Sequence, residues 1–104
     1  MTRFTLKTLV AASALAASGA ALADITIGVI APMTGAASGL GRPAGNQAKL
    51  WPKTIAGEKL NVIVMDDATD PNQGVTHAKR FVTNDKVDVI MGSVATPVAA
   101  AVAQ

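Results

Sequence analysis

The sequence contains no cysteine, and only 3% of its 104 residues are aromatic. The absence of cysteine excludes a disulfide framework and any metal site built on thiolates. Charged residues make up only 15% of the chain and hydrophobic residues 50%, which excludes an intrinsically disordered protein. A chain of this length forms at most one small domain.

The first 23 residues differ in character from the rest of the chain. Arg3 and Lys7 make a basic start, an apolar run covers 9–17, and an Ala-Leu-Ala motif ends at residue 23. This arrangement is typical of a cleavable secretory signal peptide. The apolar run is too short to span about 30 Å of hydrocarbon. We therefore predict a signal peptide over 1–23, and because no cysteine follows the cleavage site, a lipid-anchored lipoprotein is excluded.

The charge balance changes once this segment is set aside. Residues 1–23 hold two of the nine basic side chains, which leaves seven basic residues against seven acidic ones. The remaining chain is formally neutral and has no basic patch interleaved with aromatic residues. The sequence therefore gives no indication of nucleic acid as a partner.

Three apolar, β-branched segments indicate buried strands, at 25–30, 60–65 and 87–91. Signals for helix starts follow each of them, at Pro43, Asp70-Pro71 and Thr96-Pro97. This β-α-β-α-β-α order predicts an α/β fold with a parallel sheet, the first strand in the middle and helices on both faces. The third strand would be an exposed apolar edge, so the sequence is expected to be a truncated part of a longer chain.

Ligands bind to open parallel sheets beyond the carboxyl ends of the strands, where the strand order reverses. That reversal selects the loops at 31–42 and 92–97 and leaves the loop at 66–70 to one side. The first loop is rich in glycine and small residues over 33–41. It lacks the lysine of a P-loop and the glycine spacing of a dinucleotide site. It is either a flexible loop without a ligand role or one that lets small groups approach its backbone.

The segment Ser93-Val94-Ala95-Thr96-Pro97 is the predicted anion site. A helix start presents unpaired N–H groups and a partial positive charge. Thr96 either caps the helix or turns its hydroxyl to an anion, and a plain N-cap without ligand is the alternative. The helix dipole contributes about 0.3–2 kcal/mol and a hydrogen bond to a charged group roughly 1.5–3 kcal/mol. Together they are less than the binding free energy of about 8 kcal/mol that a micromolar dissociation constant requires. A second surface must therefore close over the ligand.

The remaining polar candidates favour structural roles. Asp66, Asp67 and Asp70 have a spacing that binds magnesium and diphosphate on helices, but here they lie on a loop. Asp70 is predicted to cap the next helix, with the Asp pair solvated or bonded to loop amides. His77 is predicted to lie on the surface and Trp51 to contribute packing within the first helix, which Pro52 interrupts or kinks. One histidine and no cysteine do not assemble a catalytic triad.

Three segments resemble the leucine/isoleucine/valine-binding type of periplasmic protein, the substrate-binding subunit of ABC importers. They are Asp24-Ile-Thr-Ile-Gly-Val-Ile-Ala-Pro-Met-Thr-Gly35, Asp66-Asp-Ala-Thr-Asp-Pro71 and Val87-Asp-Val-Ile-Met-Gly-Ser93. The resemblance covers 24–104. It implies a type I Venus-flytrap fold in the periplasm, of which this chain is the first half of lobe 1. It further implies a small carboxylate or amino acid bound between two lobes, an ABC permease as partner, no cofactor and no enzymatic activity.

The resemblance also implies roles for particular residues. By position, Thr96 matches the hydroxyl residue that holds the ligand's α-carboxylate, with Ser93 and Ala95 beside it. Ser38 and Leu40 belong to the loop expected to form one wall of the site. Leu40 stands where amino-acid-binding members often carry tyrosine.

Two alternatives stay open at the level of sequence. One is a secreted α/β enzyme whose catalytic residues lie beyond residue 104, and the other is a sensory ectodomain of the same fold. Within the resemblance, the length of the stretch 42–59 is similar to that of a subgroup with varied ligands, including aromatic acids.

Overall fold

A computed structural model describes residues 23–104, so the predicted signal peptide lies, except for its last residue, outside the described residues. The elements are β1 (Ile25–Ala31), α1 (Ser38–Ala48), β2 (Thr54–Ile55), β3 (Glu58–Asp66), α2 (Pro71–Arg80), β4 (Val89–Met91) and α3 (Thr96–Val102). A π-helical turn, Phe81–Asp85, continues α2. Within residues 23–104, no helix has the length and apolar character needed to cross a membrane.

The sheet has four strands in the order β2-β3-β1-β4. β3 runs parallel to β1 along its whole length, with Ile25 opposite Leu60 and Ala31 opposite Asp66. β4 is also parallel to β1 but pairs only with its middle, from Ile27 to Val29. The α/β fold and the central position of the first strand are confirmed.

A short antiparallel strand, β2, was not expected from the sequence. It forms a hairpin with the start of β3 through a turn in which Ala56 and Gly57 have φ of 51° and 83°. Two positive φ angles in succession give the turn that suits the twist of a tight hairpin. Because β2 has only two residues and both are exposed, hydrophobic alternation could not reveal it.

The first helix begins five residues before the predicted start. α1 starts at Ser38, so the second half of the predicted glycine-rich loop is helical and Pro43 lies inside the helix. Close packing explains the difference: a Cβ at Gly41 would lie 2.1 Å from the carbonyl oxygen of Pro32. Local propensity favours a loop over these residues, but contact with the end of β1 holds them in a helix.

The end of α1 also differs from the prediction. The helix ends at Ala48, so Trp51 is not part of it, and Pro52 neither interrupts nor kinks it. Trp51 is half-buried in the turn that leads to β2.

Helices cover both faces of the sheet, as predicted. Gly45 of α1 faces Val64 on one side, and Phe81 packs over Gly28 on the other. The core residues between these layers are almost fully buried: Val29, Ile30, Leu60, Phe81 and Val98.

The third predicted strand is shorter than expected, because Val87 and Asp88 precede β4 rather than belong to it. The Asp88 amide donates to the Thr26 carbonyl oxygen at 2.8 Å, and its carboxylate accepts from the Thr26 amide at 2.8 Å. A side-chain oxygen thus replaces a backbone partner at this position. β4 is an edge strand, with Val89 51% and Met91 44% exposed.

Candidate functional site

Three loops meet at the carboxyl edge of the sheet. β1 lies between β3 and β4 and runs parallel to both, so the loops at 32–37, 67–70 and 92–95 leave the sheet side by side. This is the edge at which the sequence places the ligand site. The loop after β3 was expected to lie to one side, but it is hydrogen-bonded to the loop after β1.

The segment at the start of α3 is organised around Ser93. Ser93 is buried, and its hydroxyl oxygen accepts a hydrogen bond from the Ala95 amide at 3.1 Å. The Ala95 N–H is therefore used within the loop. Of the two roles predicted for Thr96, capping the helix is wrong, because Ala95 occupies the N-cap position and Thr96 is the first helical residue. Thr96 is exposed at the carboxyl edge.

The residues predicted as one wall of the site lie on the first turn of α1. Ser38 begins the helix and is half-buried, and Leu40 follows with 68% of its surface exposed. The residues predicted to form the wall therefore lie on a helix turn, where the sequence indicated a glycine-rich loop. The N-cap residue Ala37 has no side-chain group that could cap this turn.

Asp66 connects two of the loops through one carboxylate. One of its oxygens accepts from the amides of Met33, Thr34 and Ala68 at 2.8, 3.1 and 2.8 Å. The other accepts from the Thr34 hydroxyl at 2.7 Å. Burial raises the pKa of Asp66, but the hydrogen bonds from the Thr34 hydroxyl and from these amides outweigh it, so the pKa lies below its ordinary value.

Thr69 makes a second connection between the same loops. Its hydroxyl accepts from the Ala37 amide at 3.1 Å and donates to the Thr34 carbonyl oxygen at 3.2 Å. The side chains of Thr34, Asp66 and Thr69 together are called the loop clasp below. Sequence reasoning missed the two threonines, since partners 32 to 35 residues apart leave no local pattern.

The remaining aspartates of the loop after β3 have structural roles, as their position on a loop predicted. Asp70 caps α2 by accepting from the Asn72 amide at 2.9 Å. Asp67 is fully buried and accepts from the Thr69 amide at 2.7 Å, while its other oxygen has no hydrogen-bond partner within the described part of the chain. Among residues 23–104, no group of three or more acidic or histidine side chains is placed to hold a metal ion.

His77 is not the surface residue that the sequence suggested. It is half-buried, and its Nε2 lies 2.9 Å from the carbonyl oxygen of Asp66. A carbonyl oxygen only accepts, so Nε2 carries the hydrogen in this contact. His77 thereby ties α2 to the end of β3 on the side of the loop clasp.

Comparison with known proteins identifies the chain's relatives. The periplasmic binding protein family matches residues 24–104. The Leu/Ile/Val-binding protein BraC3 of Rhizobium johnstonii is 40% identical over 103 residues, covering 91% of this chain and 28% of that protein. An extracellular ligand-binding receptor from Rhodopseudomonas palustris is similar in structure, with a TM-score of 0.73 and 44% identity over 76% of this chain and 22% of that one.

A second solved structure is also similar. It is a solute-binding protein of an ABC transporter from Rhodopseudomonas palustris, in complex with 3,4-dihydroxybenzoic acid, with a TM-score of 0.66 and 37% identity. The match covers 75% of this chain and 23% of that structure.

The parallel sheet with its loops at one edge is the first part of a type I periplasmic-binding-protein lobe. The chain belongs to the periplasmic binding protein family, as its sequence motifs indicated. This is a family of solute-binding proteins and not of enzymes. The chain spans about a quarter of the length of its curated relatives, 25% and 28% for two of them.

Proposed function

We propose that this chain is the N-terminal part of the solute-binding component of an ABC importer. The protein is exported to the periplasm by the signal peptide at 1–23, binds a small carboxylate between two lobes and delivers it to a membrane permease. The single observation that carries the proposal is the family match, which extends over all of residues 24–104. The mechanism is non-catalytic: the ligand stabilises the closed state, and the closed state docks on the permease.

The ligand's carboxylate binds at the start of α3. Thr96 supports this role because it is exposed at the carboxyl edge and its hydroxyl can donate to a carboxylate oxygen. Ser93 and Ala95 shape the segment rather than contact the ligand through the Ala95 amide, since that N–H is bonded to Ser93. A charged hydrogen bond contributes roughly 1.5–3 kcal/mol, so contacts from the second lobe supply most of the affinity.

The first turn of α1 provides the apolar wall of the site. Leu40 exposes 68% of its surface beside the edge where Thr96 lies, and Ser38 contributes a hydroxyl at the same turn. An exposed leucine suits the apolar body of a branched-chain or other amino acid, or the ring of an aromatic acid. The relatives support both classes: BraC3 is a Leu/Ile/Val-binding protein, and one similar structure holds 3,4-dihydroxybenzoic acid.

The test uses the full-length protein encoded by the gene, expressed with its own signal sequence in a Gram-negative host. Mass spectrometry of the exported protein is expected to give an N-terminus at Asp24. Thermal melting is then followed with leucine, isoleucine, valine, benzoate and 3,4-dihydroxybenzoate. At least one of these ligands is expected to raise the melting temperature, and calorimetry gives its dissociation constant.

Two threonine variants locate the site. Thr96→Val is expected to weaken binding about tenfold, because it removes a hydrogen bond to a charged group. Thr76→Val is the matched control, since the exposed Thr76 hydroxyl donates only to the Asn72 carbonyl oxygen of its own helix, at 2.9 Å. No melting shift with any ligand would contradict the proposed function. A normal affinity in Thr96→Val would contradict the proposed site alone.

A further inference from the structure

The loop clasp is hydrogen-bonded to Ala37, the residue that directly precedes the proposed ligand wall. We propose that Thr69 and Asp66 are positioning residues: the clasp sets where the first turn of α1 stands and so controls ligand affinity without touching the ligand. This inference rests on the proposed function and identifies residues that position the site.

The Thr69 hydroxyl bonds to the residue directly before α1. Ala37 is the N-cap of α1, and its amide donates to the Thr69 hydroxyl oxygen at 3.1 Å. The same hydroxyl donates its hydrogen to the Thr34 carbonyl oxygen. Thr69 therefore holds the segment before α1 both as a donor and as an acceptor. Since Ser38 follows Ala37 directly, any shift of Ala37 moves the wall that Ser38 and Leu40 form.

Asp66 fixes the other end of the same segment. Its carboxylate accepts from Met33 and Thr34, immediately before Gly35, and from Ala68 in the opposite loop. The two loops touch through their backbones, because a Cβ at Gly35 (φ 82°) would lie 2.3 Å from the Ala68 carbonyl oxygen. The segment 33–37 is thus anchored at its start by Asp66 and at its end by Thr69.

The conformation of the β3–α2 loop supports a role beyond simple connection. Ala68 and Thr69 have φ of 52° and 63°, the left-handed region that is rare for a β-branched residue. Glycine or asparagine would adopt this conformation with less strain. Strained residues of this kind persist where their surroundings hold them, and they cluster at ligand sites. A β-branched side chain is unfavourable at this left-handed backbone conformation, but the Thr69 hydroxyl makes the hydrogen bond to Ala37.

The experiment compares four variants in the full-length protein: Thr69→Val, Thr69→Ser, Thr69→Gly and Thr76→Val. Affinity is measured by calorimetry with whichever of the five ligands tested above the wild type binds, and stability is measured by thermal melting. Thr69→Val is expected to weaken binding about tenfold, the scale of one lost hydrogen bond. Thr69→Ser keeps the hydroxyl and is expected to bind within about twofold of wild type. Thr76→Val is expected to leave affinity unchanged.

Thr69→Gly separates positioning from stability. It relieves the strain and removes the hydroxyl, so its melting temperature is expected to fall less than that of Thr69→Val while its affinity falls equally. A purely structural role predicts instead that affinity follows melting temperature across all four variants. That result, or wild-type affinity in Thr69→Val and Thr69→Gly, would overturn the inference.

Amide hydrogen exchange keeps this test separate from that of the proposed function. If the wild type binds none of the five ligands tested above, the proposed function fails, and the positioning role is decided on the ligand-free protein. If the amide hydrogens of 37–41 exchange faster in Thr69→Val than in Thr76→Val, the positioning role is supported. Equal exchange rates in the two variants would overturn it.

Discussion

The ring of Phe81 packs directly on Gly28, and a Cβ at Gly28 would lie 2.6 Å from ring atoms Cδ2 and Cε2. Gly28 is in the middle of β1, the strand that pairs with both β3 and β4. Phe81 is fully buried at the start of the π-helical turn. The missing side chain of Gly28 therefore allows the end of α2 to dock on the centre of the sheet.

Gly28→Ala is accordingly expected to destabilise the full-length protein by about 1–3 kcal/mol, the usual range for overpacking a core. Gly39→Ala is the matched control, because a Cβ at this helical position meets nothing within 4 Å. It is expected to stabilise the protein by about 0.5–1 kcal/mol, since alanine favours a helix over glycine. Urea unfolding measures both, and equal effects of the two substitutions would contradict the packing argument.

The carboxylate of Asp66 makes the stability of the loop clasp dependent on pH. Because folding lowers the pKa of Asp66, its contribution is complete above the unfolded value of about 3.9 and is lost as pH falls through the folded pKa. Asp66→Asn is expected to lower stability by about 1–3 kcal/mol at pH 7. Urea unfolding between pH 7 and 3 measures this. The difference in unfolding free energy between Asp66→Asn and wild type is expected to narrow below about pH 4.

The control for this experiment is Asp24→Asn, which changes an exposed carboxylate at the start of the described chain. Its stability is expected to follow the wild type at every pH. A gap between Asp66→Asn and wild type that stays constant from pH 7 to 3 would argue against ionised Asp66 as the acceptor in the clasp.

The start of α2 depends on the side chain of Asp70. Asp70→Ala removes the acceptor of the Asn72 amide and is expected to cost about 1 kcal/mol of unfolding free energy. Asp70→Asn keeps an acceptor oxygen and is expected to retain most of the stability. If thermal melting ranks the asparagine variant with alanine, the cap is not the source of the effect.

Residues 24–104 expressed alone are expected to associate and to bind no amino acid tightly. Val89 on the edge strand β4 is 51% exposed, and an apolar, unpaired edge is a template for pairing with another copy. Val89→Lys is expected to reduce association in size-exclusion chromatography with light scattering. Leu50→Lys is the matched control, because Leu50 is 85% exposed but lies outside the sheet. A soluble monomer with micromolar affinity would contradict this expectation.

The elements with strong local signals were predictable from the sequence. The β-branched runs in β1 and β3 are long enough to identify strands, and Asp70-Pro71 marks the start of α2 because the cap is a short-range hydrogen bond. The parallel arrangement followed from the alternation of strands and helices. The family resemblance rested on the same short segments, so it was within reach of the sequence as well.

The start of α1 and the roles of individual polar side chains were decided by tertiary structure. Glycine-rich residues 39–41 read locally as a loop, but the close approach of Gly41 to Pro32 holds them in a helix. Thr34, Asp66 and Thr69 are joined by hydrogen bonds between residues more than 30 positions apart in the sequence. No local sequence pattern indicates such pairs. The sequence by itself determined the alternation of the three parallel strands with helices, the Asp70 cap of α2 and the family, because these depend on neighbours along the chain. Only the folded chain decided which loop anchors which, because those partners meet through the sheet.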